Sequence, residues 1–107
     1  MNAEQDLLSF VPPELFHLLP GFLARRESEI GELTEFLRLR QFTAIESTGH
    51  KMKGTGLGYG FQVVSDLGRE LERAAAHEDV ATIQVVIAKL ARFSRELKAH
   101  ISTDSRM

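Results

Sequence analysis

Apolar residues recur along most of this chain at intervals of three and four, with charged residues filling the positions between them. Such spacing puts the apolar residues on one stripe of a helix with 3.6 residues per turn. From Glu14 to Arg38 the stripe is Leu15, Leu18, Leu19, Phe22, Leu23, Ile30, Leu33, Phe36 and Leu37. Pro20 interrupts it, so the helix either kinks there or starts afresh with Pro20 in its first turn. A weaker break at Leu39–Phe42 precedes a second stripe of Phe42, Ile45, Gly49 and Met52. A third runs from Phe61 to Ala76 through Val64, Leu67, Leu71 and Ala74/Ala75. His77-Glu78-Asp79 is a polar break, and Asp79 suits the N-cap of a fourth helix carrying Ile83, Val86/Ile87, Leu90, Phe93, Leu97 and Ile101. No sustained alternation and no hairpin signal suggests strands. The pattern predicts an all-α fold: an antiparallel up-down four-helix bundle, with a short extra N-terminal helix as an option. Residues 1–11 are expected as a flexible arm ending at Pro12-Pro13, residues 12–102 as the bundle domain, and residues 103–107 as a frayed tail.

Composition narrows the function classes. The 107 residues suit a single core, and 43% hydrophobic with 26% charged residues is ordinary for a soluble domain. A formal net charge of -2 provides no basic field for nucleic acid or an anionic membrane. No apolar run approaches the roughly 20 residues of a membrane span, and MNAEQDLLSF lacks the features of a signal peptide. Without cysteine there are no disulfides, thiolate metal sites or cysteine nucleophiles, which fits a reducing cytoplasm.

The pattern does not explain the stretch GHKMKGTGLGYG, Gly49–Gly60, where five glycines surround one histidine inside and beyond a helix. Glycine in a helix interior costs about 0.5–1 kcal/mol relative to alanine. Phosphate-loop readings fail. Gly49 and Gly54 have the P-loop separation, but Thr55 stands where lysine is required and no strand precedes. The dinucleotide fingerprint fails at Tyr59 and again at Phe61. His17, His77 and His100 are scattered surface histidines without metal-ligand spacing, and nothing resembles a nucleophile elbow. On the second helix His50 points to one side of the apolar stripe, sharing that side with Glu46, Lys53, Gly54 and Leu57. It is therefore expected to be at least partly exposed. Arg25-Arg26 and Arg38-x-Arg40 are expected as solvated charge.

His50-Lys51-Met52-Lys53-Gly54 resembles the H-x-x-K-G signature of the histidine-containing phosphotransfer (HPt) domain family of two-component phosphorelays. The resemblance continues through Gly60 to Leu67, Leu71 and Glu72 on the following helix, and the bundle pattern extends it over Leu15–Ile101. Two departures are the additional glycines Gly56 and Gly58, and Gly49 before the histidine where alanine is common in the family. The resemblance implies that His50 accepts a phosphoryl group from a receiver-domain aspartate and passes it on, a neutral imidazole being a usable nucleophile near pH 7. It implies that Lys53 offsets the phosphoryl charge and that Gly54, with Leu57 on the same face, keeps a surface clear for the partner. Glu72 matches a position whose carboxylate or amide can hold Nδ1 of the histidine. Periodicity alone leaves Glu70 and Glu72 equally as solvated face charges.

By the same resemblance the chain binds no cofactor of its own, since Mg²⁺ comes from the receiver domain, and it has no ATP site or kinase activity. Its expected partners are response-regulator receiver domains and a hybrid sensor histidine kinase. It is expected to be a cytoplasmic monomer that contacts neither nucleic acid nor membrane. A second reading from another class stays open: a non-catalytic helical adaptor or dimerisation module of a sensor system.

Overall fold

A computed structural model describes the backbone of residues 3–104 and the side chains of residues 7–104. Four α-helices follow two short 3₁₀ segments, Ala3–Phe10 and Pro13–Leu18. The helices are α1 (Leu19–Arg38), α2 (Phe42–Gly58), α3 (Gln62–Ala76) and α4 (Val80–Thr103). Each packs on its sequence neighbours and α1 closes the ring against α4, giving the expected all-α four-helix bundle. The apolar stripes meet inside: Leu19, Leu33, Ile45, Met52, Val64, Leu71, Ile83, Val86, Leu90 and Leu97 are fully buried. Removing such side chains from water contributes about 25 cal/mol per Å² of apolar surface.

The breaks are resolved by local chemistry. Helix α1 starts afresh at Leu19 with Pro20 in its first turn, where the missing N–H costs no hydrogen bond. Helices α1, α2 and α3 all end in the same two-bond turn. In it Gln41 N–H donates to Phe36 O (2.8 Å), Phe61 N–H to Gly56 O (2.8 Å) and Asp79 N–H to Ala74 O (2.9 Å). That turn needs one left-handed residue, supplied by Arg40 (φ 56°), Gly60 (φ 81°) and Glu78 (φ 53°). Only Gly60 takes this conformation at no steric cost. Asp79 caps α4 as expected, accepting from Thr82 N–H at 3.1 Å and Thr82 Oγ1 at 2.6 Å, which hold its carboxyl below the usual range.

Three expectations need correction. The segment expected as a free arm up to residue 11 folds back on the bundle: Leu8 and Val11 are buried in the core, because the bundle leaves apolar surface beside α4 that these residues cover. Its first two residues lie outside the described ones. At the other end α4 continues to Thr103, beyond the expected frayed boundary, with Ser102 and Thr103 bonding back to the carbonyls of Lys98 and Ala99; residues 105–107 lie outside the described ones. Arg26 is not solvated. It is buried and bidentate to buried Glu29 (2.6 and 3.0 Å), with its guanidinium 4.7 Å from the Phe22 ring centroid. Phe22 in turn stacks on Tyr59 and Phe61, which ties α1 to the turn after α2.

Candidate functional site

Helix α2 projects His50 and Lys53 one turn apart on its outer side, and α3 supplies Glu72 from across the interface. Glu72 serves both partners. One carboxylate oxygen, Oε2, lies 3.1 Å from His50 Nδ1, and the other, Oε1, accepts from Lys53 Nζ at 3.2 Å. The His50 side chain is 68% exposed, while Lys53 (34%) and Glu72 (31%) are partly sheltered. The Lys53 hydrogen bond chiefly holds the Glu72 carboxyl below its usual range, against the opposing pull of partial burial and with help from the His50 contact. A glutamate is ionised near neutral pH already at its ordinary value, and these contacts take Glu72 further from protonation.

The protonation pattern of the ring follows. An ionised carboxylate can only accept, so the ring nitrogen facing Glu72 carries the proton. In neutral His50 that leaves the Nε2 lone pair free on the solvent side. This is the arrangement of an oriented nucleophile: a ring fixed by a third group, with its reactive atom outward.

The surroundings of His50 are open. A Cβ added at Gly54 would meet nothing within 4 Å, so this glycine does not serve helix packing. Leu57, one turn further along the same face, is 55% exposed. His50, Lys53 and Glu72 line none of four clefts on the surface, among them a groove of about 560 Å³ bounded by Leu7, Phe10, Val63 and Phe93. His50 is thus an exposed side chain away from these four clefts. Among the described residues, no three His, Asp or Glu side chains converge into a set that could hold a metal ion. Nor, among them, is any helix long and apolar enough to cross a membrane.

The other sequence candidates fall away from this site. Glu70 and Glu46 have no part in the shared-carboxylate contacts. His77 and His100 turn their Nδ1 atoms back to the carbonyls of Arg73 (2.9 Å) and Glu96 (2.8 Å) on their own helices. Arg38 pairs with Glu35 on the exposed face of α1.

The remaining glycines answer part of the question that their number raised; at Gly58, as at Gly54, an added Cβ would meet nothing within 4 Å. Gly49 and Gly56 are buried where α2 lies directly on α3, and Gly68 faces Gly49 from α3. A Cβ at Gly56 would come within 2.6 Å of Ser65 N. Sequence reasoning passed over Gly68. The available signal was its place on the apolar side of the third helix between Val64 and Leu71. Comparison of the chain with protein-family models, with curated proteins and with solved structures gives no match.

Proposed function

We propose that this chain is a histidine phosphotransfer protein that relays phosphoryl groups between receiver-domain aspartates, with His50 as the carrier. The observation that carries the reading is the shared Glu72 carboxylate, which holds His50 Nδ1 and Lys53 Nζ together beneath an open helical face. It agrees with the H-x-x-K-G resemblance and adds a chemical reason for it.

In the forward step the Nε2 lone pair attacks the phosphorus of an aspartyl phosphate. The N–P bond forms, the acyl P–O bond breaks, and the partner's aspartate leaves as a carboxylate. The ring keeps its Nδ1 proton, so the phosphorylated imidazole is cationic, and Glu72 lies against the N–H that shares that charge. Lys53 is close enough to turn towards the incoming phosphoryl oxygens. Reversing these bond changes returns the group to a second aspartate. Mg²⁺ and the acyl phosphate arrive with the receiver domain, and no ATP-dependent step is assigned to this chain. Gly54 and Leu57 form the adjoining contact surface, the first by leaving room and the second by offering apolar area. The reading entails a cytoplasmic monomer that meets its receiver partners transiently, a hybrid sensor kinase among the possible donors.

The test is incubation with a panel of phosphorylated receiver domains. Transfer should produce an acid-labile, base-stable adduct on the wild-type protein and none on His50→Gln, whose thermal midpoint should hardly move because the residue is exposed. Lys53→Ala should slow transfer by roughly tenfold to a thousandfold, the scale of losing one electrostatic donor. Labelling of His50→Gln at the wild-type level would refute the assignment.

A further inference from the structure

We propose that Gly49 and Gly68 are positioning residues of the His50 site, setting the α2–α3 separation at which the single Glu72 carboxylate engages His50 and Lys53 together. Its consequence for rate rests on the phosphotransfer reading, whereas its consequence for the imidazole ring does not.

The atoms that these glycines let in belong to the site itself. A Cβ at Gly49 would lie 2.7 Å from Gly68 O, 2.8 Å from Glu72 N and 3.2 Å from Glu72 Cα. A Cβ at Gly68 would lie 2.6 Å from Gly49 O, 2.6 Å from Lys53 N and 2.9 Å from Met52 Cβ. Most of the obstructing atoms are backbone and cannot rotate aside, so a side chain at either position has to push the helices apart. The displacement moves the backbone of Glu72, whose N and Cα are among the atoms met. The Glu72 contacts of 3.1 and 3.2 Å already stand at the long end of good hydrogen bonds, and a few tenths of an ångström more loses them. With Glu72 withdrawn, Nδ1 loses its acceptor, the ring proton redistributes between the two nitrogens, and Lys53 is released at the same time.

Gly56 provides an internal control. Its contact with Ser65 N, 2.6 Å from an added Cβ, is as tight as those at Gly49 and Gly68. It lies two turns beyond Gly49, and the nearest atoms that an added Cβ would meet across the interface belong to Ser65, Phe61 and Val64. Gly56→Ala should therefore strain the same helix pair without disturbing the carboxylate.

The experiment records long-range ¹⁵N–¹H spectra of the His50 ring, at a pH where it is neutral, in wild type and in Gly49→Ala, Gly68→Ala, Gly56→Ala, Glu72→Ala and Glu72→Asp. Wild type and Gly56→Ala should show the Nδ1–H tautomer. Gly49→Ala, Gly68→Ala and Glu72→Asp should all shift towards the Glu72→Ala spectrum. Transfer from a phosphorylated receiver domain should fall about 10- to 100-fold in Gly68→Ala, as for loss of an orienting partner. It should fall no further in the Gly68→Ala/Glu72→Ala double variant, because both changes remove the same contact. A folded Gly68→Ala that keeps the wild-type tautomer balance overturns the proposal. If neither glycine variant folds, Glu72→Asp decides: it withdraws the carboxylate by one methylene without touching the glycine contact, and an unchanged ring would overturn the proposal equally. Failure of every receiver domain to label wild-type His50, with the ring responses as expected, would refute phosphotransfer and leave the positioning role standing.

Discussion

Helices α2 (17 residues) and α4 (24 residues) are both amphipathic, yet they build opposite kinds of interface. Helix α4 fills its inner face with Ile83, Val86, Leu90, Phe93 and Leu97, and it begins with a full Asp79 side-chain cap. Helix α2 buries only Ile45 and Met52 as large side chains, beside Gly49 and Gly56, and has no side-chain cap at Gln41. Helices that meet through large side chains stand about 8–10 Å apart. Where glycines replace those side chains, the backbones close up and Glu72 spans the remaining gap to two residues at once. The α4 face packs through large side chains, and the α2 face through close approach of backbones. The glycines cost α2 roughly 0.5–1 kcal/mol each in intrinsic helix stability, a penalty that its close packing on α3 offsets.

The largest expected effect breaks the α4 side of this contrast. Leu90 is fully buried, and Leu90→Ala should lower stability in urea unfolding by about 2–5 kcal/mol. The His50 ring spectrum should stay unchanged as long as the protein remains folded. A shifted ring signal would show that positioning depends on the whole core and not on the α2–α3 contact.

A smaller effect, with opposite signs at neighbouring positions, sharpens the α2 side. Gly56→Ala should destabilise by about 1–3 kcal/mol despite alanine's better helix propensity, because the new methyl meets Ser65 N and Phe61 O. Gly54→Ala meets nothing and should stabilise by up to about 0.5–1 kcal/mol. In the proposed relay it should nonetheless slow transfer roughly tenfold or more, since the added methyl stands where a partner must approach closely. Equal stability changes in the two variants would contradict the packing account.

The smallest effect is electrostatic. The Glu72 carboxyl is held low by Lys53 and His50, so between its folded value and the unfolded value of about 4.3 the folded protein binds fewer protons than the unfolded chain. The stabilisation from Glu72 is therefore present above that unfolded value and is lost as pH falls through the folded one. Thermal midpoints of wild type and Glu72→Gln should converge as the pH is lowered through this acid window. A gap that stays constant down the titration would mean that Glu72 gains nothing from its two partners.

The helices were legible in the sequence because three-and-four spacing over a dozen residues admits few alternatives, and the Asp79 cap followed from its side-chain chemistry; at Pro20 the sequence left a kink and a fresh start open, and α1 starts afresh. His50, Lys53 and Gly54 were legible as a short motif. Glu72 could not be separated from Glu70 by pattern alone, since only the packing angle of α3 decides which glutamate leans towards α2. Gly56 and Gly68 remained unexplained for the same reason: a residue with no side chain reveals its purpose only through what lies opposite it. The buried Arg26–Glu29 pair was missed because charged residues at helical spacing normally face water, and nothing local marks the pair that Phe22 covers.

In the proposed relay Glu72 holds the proton on Nδ1 and so leaves Nε2 of His50 as the phosphoryl acceptor. NMR of the protein after phosphorylation by a receiver domain, with ³¹P–¹H correlation and ¹⁵N-labelled histidine, identifies the bonded nitrogen directly. The account predicts a single phosphoryl group on Nε2 of His50, with Nδ1 still protonated. A phosphoryl group on Nδ1, or on any residue other than His50, would contradict it.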